Sequence, residues 1–282
     1  MNIKITSDST CDLSPEILEA FNITLVPLTV IMDGKDYKDG VTITPGEVFA
    51  HVAAGGALCS TSAVSVGEYQ EFFSRYAGEY DGVLHVNISA EFSSTHNNAC
   101  LAAQDFDNVR VVDSRNLSTG QGLVVLKACE LAKTAASLDE LKQELDAFTS
   151  RVEASFLVDK LDYLVKGGRC SSAAALGANL LNLKPCIEVK DGKMGVGKKY
   201  RGAYQKCLLQ YVKERLEGHD DIDPHRIFVT ESGGFTAEEV AEIEAAVRSY
   251  QPFEEVLHTR AGCTISSHCG PRTLGILYFH TK

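Results

Sequence analysis

Two α/β domains are predicted for this chain of 282 residues, an amino-terminal one on a parallel sheet and a carboxyl-terminal one on a mixed sheet. Three observations carry the prediction. The length matches two domains at about 150 residues each. Up to residue 153, short apolar runs alternate with capped helical patterns, which signals a parallel sheet covered on both faces. Beyond that point, an Asp191-Gly192 turn between two strand-like runs introduces antiparallel pairing. The expected domains are therefore residues 1–153 and 154–282.

In the first domain, strands are predicted at Ile3–Thr6, Ile23–Ile31, Gly82–Ile88 and Val109–Asp113, with a shorter one at Ala57–Ser60. Ser14-Pro15 supplies an N-cap followed by a proline that tolerates the first helical position. Thr44…Glu47, Ser65…Glu68 and Ser137…Glu140 have capping-box spacing, in which hydroxyl and carboxylate satisfy the free N–H groups of a helix start. In the second domain a Gly167–Arg169 turn precedes a helix of small residues from Ser172 to Leu183. A hairpin of Pro185–Lys190 and Lys193–Gly197 follows, then a helix over about Ala203–Leu216 and a strand at Arg226–Thr230. Thr236…Glu239 opens another helix, and strands at Glu254–Thr259 and Leu274–His280 close the chain.

With 27 basic against 38 acidic residues, the formal charge of −11 argues against a nucleic-acid partner, which basic patches would have to neutralise. The apolar run Ala20–Met32 is broken by Asn22 and Pro27 and is too short to span a bilayer. Met1–Ile5 reads as a strand and not as a signal peptide. Nine scattered cysteines without a C-x-x-C spacing read as reduced, buried thiols of a cytoplasmic protein. Gly192–Lys198 has the spacing of a phosphate-binding loop, but Lys199 stands where a magnesium-binding hydroxyl belongs, and the glycines sit in a hairpin. Neither a dinucleotide fingerprint nor metal-ligand histidine spacing occurs, so no cofactor and no metal are expected.

What remains is an excess of hydroxyls where predicted strands end: Thr6–Thr10, Ser60–Ser62 with Ser65, Ser89 with Ser93–Thr95, and Asp113-Ser114. These residues suit N-caps and turns. They also suit a ligand site, because open parallel sheets bind ligands outside the carboxyl ends of their strands. Hydroxyls and helix N–H groups donate to a carboxylate or carbonyl. His268, in the turn-rich segment Ser266–Pro271, is the histidine best placed to join them. Three readings follow: a carboxylate-binding protein, a hydrolase or acyltransferase with Ser93 as nucleophile and His268 as base, and a sensor of another small carboxylic acid.

Six segments in order then narrow the choice: Asp8-Ser9-Thr10, Thr61–Ser65, Ser89…Thr95, Val112-Asp113-Ser114, Leu164–Arg169 and His268–Pro271. Together they resemble the DegV family of bacterial fatty-acid-binding proteins, over essentially the whole chain. The resemblance implies a DegV-like fold, with a parallel-sheet amino-terminal α/β domain and a smaller carboxyl-terminal α/β domain closing over the ligand. It implies a long-chain fatty acid in an interdomain tunnel and no catalytic machinery of the chain's own. The carboxylate would be presented to a separate ATP-dependent fatty-acid kinase, whose acyl phosphate feeds phospholipid synthesis, with transient membrane contact. By motif, Thr61 and Ser93 hold the carboxylate, Ser62 and the Ser94 N–H are neighbours that contribute, and His268 completes the polar end. Arg169 and Arg201 fall at the pocket mouth or the kinase-docking surface, where Lys198 and Lys199 add to a basic patch on an acidic chain.

Two departures from the family pattern stand out. Ala63-Val64 replaces a common Gln-Pro, and Ser93-Ser94-Thr95-His96 replaces Ser-Gly-Thr-Tyr, which adds a side chain where glycine permits close backbone approach. The energetics favour a lipid: about 15 methylenes at roughly 0.8 kcal/mol each gain on the order of 12 kcal/mol before ordering costs.

Overall fold

The computed structural model describes residues 1–175 and 183–282. The first half of the chain runs β1 (Ile3–Asp8), α1 (Pro15–Ala20), β2 (Thr24–Val26), β3 (Thr29–Met32), β4 (Lys35–Lys38), α2 (Pro45–Ala53), β5 (Ser60–Ser62) and α3 (Val66–Ala77). It continues through β6 (Gly82–Asn87), α4 (Thr95–Ala103), β7 (Val109–Asp113), α5 (Ser118–Leu131) and α6 (Leu138–Thr149). The second half runs β8 (Val152–Val158), α7 (Asp162–Gly167), α8 (Ser171–Ala174), β9 (Leu183–Lys190), β10 (Lys193–Arg201) and α9 (Tyr204–Leu216). It ends with β11 (Ile222–Glu231), α10 (Ala237–Tyr250), β12 (Glu255–Arg260), α11 (Cys263–Cys269) and β13 (Thr273–His280).

The protein is a mixed α/β fold, as expected. Strands β2-β1-β6-β7 form an all-parallel sheet. Strands β10-β9-β8-β13-β11-β12 form a mixed sheet, in which β11 and β12 run parallel and the other pairs antiparallel. Strand β13 shows why both faces of that sheet are covered. Leu274, Ile276 and Tyr278 join the core under α9 and α10, while Leu277 and Phe279 join the core on the opposite face. The parallel sheet packs its far face on α3 and α4 through Tyr69, Phe73, Val83, Ala99, Ala102 and Val111.

Helix α5 is the layer between the two sheets. Eleven of its fourteen residues are buried, and it packs on the parallel sheet through Gln121, which donates to Asp8 and Ser7. On its other side Thr119 is hydrogen-bonded to Thr230 of β11 (2.6 Å). Gly122 permits this depth, since a Cβ there would sit 2.8 Å from the Cys11 carbonyl oxygen.

Several expectations are corrected. The single strand Ile23–Ile31 is two strands in different sheets, because Pro27 lacks the N–H that would continue a ladder. The strand expected at Ala57–Ser60 lies at Ser60–Ser62. It pairs antiparallel with β3 in a three-stranded sheet β4-β3-β5, so antiparallel pairing is not confined to the second half. Ser137 caps α6, but the Glu140 carboxylate accepts from the Ala136 N–H, one residue short of a closed box. Strand β8 and helix α5 were not anticipated. Of the helix Ser172–Leu183, residues 176–182 lie outside the described residues. The segment around His268 is not a turn but the last turn of α11.

The remaining caps and the hairpin are as read. Ser14 caps α1, and Thr44, Ser65 and Thr236 form closed capping boxes. Asp191 and Gly192 take positive φ of 52° and 80° between β9 and β10. The tip of this hairpin docks on the strand-end loops of the parallel sheet: Ser89 Oγ donates to the Gly192 carbonyl (2.8 Å) and Arg115 Nη2 to the Asp191 carbonyl (2.6 Å).

Candidate functional site

The carboxyl ends of β1, β6 and β7 lie side by side, yet most hydroxyls there serve the fold. Asp8 accepts hydrogen bonds from the Thr10 N–H and Thr10 hydroxyl, from Gln121 and Asn87, and from the Ile88 N–H. Ser89 is spent on Gly192, and Ser114 on the Asn116 carbonyl. The structural reading therefore holds for the loops after β1 and β7 and for Ser89 of the loop after β6, whose Ser93 borders the cavity described below. The fourth behaves differently.

Strand β5 sets Thr61 opposite Val30 of β3, and the Thr61 hydroxyl meets Nε2 of His268 at 2.7 Å across 207 residues of sequence. His268 lies one turn beyond Thr264 on α11, so Thr264, Ile265, His268 and Cys269 share one helix face, and all four border a cavity. That cavity, of about 60 Å³, is also walled by Thr61, Ser62 and Ala63, by Ile88, Phe92 and Ser93, and by Leu28, Leu117, Arg169 and Met194. Its lining is apolar except around Thr61, Ser62, Ser93, Arg169, Thr264 and His268.

A second cavity of about 30 Å³ lies beyond a shared wall of Leu117, Ile265 and Cys269. It runs along the α5-facing side of the mixed sheet, against Ala154, Phe156, Val189 and Leu277. Five residues bordering it carry hydroxyls, and each hydroxyl is turned into the protein. Ser118 donates to Asp12, Ser155 pairs with the Tyr211 hydroxyl, and Thr230 pairs with Thr119 and Thr259. Ser232 donates to the Gly270 carbonyl and Thr273 to the Cys269 carbonyl. Glu231, which also borders it, accepts from Arg260 and the Gly233 N–H, so what faces the cavity is mostly methyl, methylene and ring.

His268 is uncharged at neutral pH. Burial first, and the Arg169 guanidinium second, push its pKa down to about 4. Its Nδ1 has no hydrogen-bond partner and packs on Gly167, where a Cβ would lie 2.6 Å away. A tautomer with its proton on Nε2 avoids burying an unpaired N–H. Nε2–H then donates to Thr61, and the Thr61 hydroxyl proton is left to donate into the cavity.

Ser93 also lines the cavity; its hydroxyl donates to Thr95 Oγ1 (3.0 Å) and accepts from the Thr95 N–H (3.2 Å) at the start of α4. Ser62 borders the same space, while Ser94 is exposed and outside the wall. Arg169 borders the cavity and is itself exposed, with Nη1 donating to the Gly167 carbonyl (2.8 Å). Arg201 lies exposed at the end of β10, in register with Leu183 and apart from the wall. Of the two departures from the family pattern, Ala63 borders the cavity and Val64 is buried in the core beneath α3.

The geometry bears on the hydrolase reading. His268 is bonded to Thr61 and not to Ser93, its Nδ1 faces no carboxylate, and a pKa near 4 makes it a weak base. The nucleophile, base and orienting acid of a serine hydrolase are not assembled here. Sequence reasoning missed the wall residues Leu28, Phe92, Leu117, Met194, Thr264, Ile265 and Cys269. The i, i+1, i+4, i+5 spacing of Thr264, Ile265, His268 and Cys269 was the available signal.

Among the described residues, no group of three or more His, Cys, Asp or Glu side chains could hold a metal ion. No helix among them is long and apolar enough to cross a membrane. Comparison with known proteins gives a consistent picture. The DegV family model matches residues 2–281. A DegV domain-containing protein of Deinococcus radiodurans is 35% identical, the match covering 98% of each chain. A solved DegV-family structure from Thermus thermophilus, described as fatty-acid-binding, superposes with a TM-score of 0.89 at 34% identity, covering 99% of this chain and 100% of that one. A stearic-acid-binding protein from Eubacterium ventriosum superposes with a TM-score of 0.86 at 30% identity, covering 99% and 98%. In sequence, in the parallel and mixed sheets, and along its whole length, the chain belongs to the DegV family.

Proposed function

We propose that this protein binds a long-chain fatty acid between its two domains, residues 1–153 and 154–282, and presents the carboxylate to a separate ATP-dependent fatty-acid kinase that forms the acyl phosphate. The observation that carries the binding reading is the division of the paired cavities. One end has the Thr61–His268 pair with Ser62 and Ser93, and the rest is mostly apolar, lined by side chains such as Phe156, Val189, Ile265 and Leu277 and by hydroxyl residues bonded within the protein. Thr61 donates to the carboxylate, neutral His268 orients Thr61, and Ser93 and Arg169 flank the same end. Hydroxyl donors suffice for orientation because apolar burial of the chain supplies most of the affinity. Arg169 leaves the carboxylate end near the surface, as transfer to a kinase requires, and exposed Arg201 belongs to the docking surface in this reading.

Mass spectrometry of ligand extracted from the native protein tests the binding. A long-chain fatty acid is expected in wild-type protein, and about tenfold weaker retention in Thr61→Val, which removes one charge-assisted hydrogen bond. Protein that emerges empty and takes up no palmitate from solution refutes the reading. The kinase step is tested separately, by acyl-phosphate formation from loaded protein with a bacterial fatty-acid kinase and ATP.

A further inference from the structure

Helix α11 belongs in sequence to the second half of the chain, between β12 and β13, but the first half holds its beginning. Its N-cap residue, Gly262, has no side chain to cap with, and Cys263 and Thr264 are buried, so their N–H groups need internal acceptors. Two carboxylates supply them. Asp39, 3% exposed in the loop after β4, accepts from the Cys263 N–H (2.7 Å) through one oxygen and from the Thr264 N–H (3.1 Å) through the other. Asp12 accepts from the Gly262 N–H (2.8 Å). Each carboxylate is aimed in turn, Asp39 by the Ser9 hydroxyl (3.1 Å) and Asp12 by the Ser118 hydroxyl. The first three N–H groups of the helix are thus accounted for by residues more than 220 positions away.

At its other end the same helix delivers His268 to Thr61, five residues and about 7.5 Å along the axis from Cys263. A helix this short is rigid, so where its first turn is pinned decides where the imidazole arrives. From its own half the helix is held by a backbone bond just before it, Ala261 N–H to the Glu231 carbonyl (2.8 Å), and by the Ser232 hydroxyl donating to the Gly270 carbonyl just after it, while the N–H groups of its first turn go to Asp12 and Asp39.

We propose that Asp39, assisted by Asp12, is a positioning residue for the ligand: by clamping the start of α11 it sets His268 against Thr61 and so orients the hydroxyl that receives the carboxylate. Asp39 itself does not border the cavity. The affinity part of this inference rests on the fatty-acid reading above; the positional part does not.

The test is a double-mutant cycle with a spectroscopic readout. Asp39→Ala, His268→Ala and the double variant are compared for palmitate affinity, and the His268 imidazole nitrogen resonances are recorded in wild type and in Asp39→Ala without palmitate. Asp39→Ala is expected to shift the Nε2 resonance as its bond to Thr61 is lost, and to weaken palmitate binding about tenfold. In the His268→Ala background the same substitution should change affinity less than twofold, since the penalty runs through the imidazole. Asp39→Asn, which keeps one acceptor oxygen, should fall between. An unchanged resonance, or an equal affinity penalty in both backgrounds, overturns the proposal. Should Asp39→Ala fail to fold, Ser9→Ala releases the aim of the carboxylate, together with the acceptor of the Leu28 N–H, and the same resonance must move in the same direction or the proposal fails. Wild-type protein that binds no palmitate refutes the fatty-acid reading, while the imidazole resonance still decides the clamp.

Discussion

Acidification from pH 7 to pH 5 charges a free imidazole, and His268 is built to resist it. Its folded pKa is held down at about 4 against an ordinary 6.5, by burial and then by Arg169. A depressed folded pKa means that the unfolded chain binds more protons between these values. The stability His268 contributes is therefore complete above about pH 6.5 and is lost as the pH falls toward 4. Over the step from pH 7 to pH 5 the linkage relation gives a loss of about 2 kcal/mol from this residue. His85, fully buried and held at about 3, loses stability over the same interval, so the wild-type slope contains both. His268→Gln isolates one of them, because an amide does not titrate and fills similar space. Urea unfolding followed by circular dichroism at the two pH values is the assay. The fall in unfolding free energy should be smaller in His268→Gln than in wild type by about 2 kcal/mol. Equal falls in the two proteins would refute the account of His268 as a buried neutral imidazole.

Two further outcomes test the walls of the site. Gly192→Ala would place a Cβ 2.8 Å from the Ser89 hydroxyl at a φ of +80°, and should cost about 1–3 kcal/mol with the urea m-value unchanged; a neutral substitution would mean the hairpin tip does not dock on Ser89. Ile265→Ala thins the wall between the two cavities and should cost about 2–4 kcal/mol in stability while raising the proportion of longer chains in the extracted lipid; an unaltered chain-length profile would place the acyl path elsewhere.

Legibility in the sequence followed from how local each cause is. Capping boxes at Thr44, Ser65 and Thr236 were readable because both partners lie within four residues. The Asp191-Gly192 turn was readable because φ is set by the residues themselves. Helix α5 was not, since burial on all sides between two sheets erases the polar face that gives a helix its period. Helix α11 was hidden for a different reason. Its Thr, Ser and Cys residues favour turns or are poor helix formers, and its capping groups, Asp12 and Asp39, stand more than 220 residues away. The motifs single out Thr61, Ser62, Ser93 and His268, which all border one cavity, but that Thr61 and His268 form a pair is a fact of tertiary packing. Hydroxyls at the other strand ends looked alike in sequence and differ only in whether a buried acceptor is near.

The hydroxyl-bearing residues around the second cavity have a consequence for the chain before it folds. Ser118, Ser155, Thr230, Ser232 and Thr273 are hydrophilic when solvated, and they are spread over four distant segments. An oily conduit made instead from contiguous leucine and isoleucine would leave a sticky stretch on every nascent or unfolded copy. Here five of the fifteen residues around the cavity join its apolar lining only when their hydroxyls find Asp12, Tyr211, Thr119, Thr259 and the Gly270 and Cys269 carbonyls. That share of the lining stays wettable in the unfolded chain, and its lipophilicity is acquired only with the finished architecture.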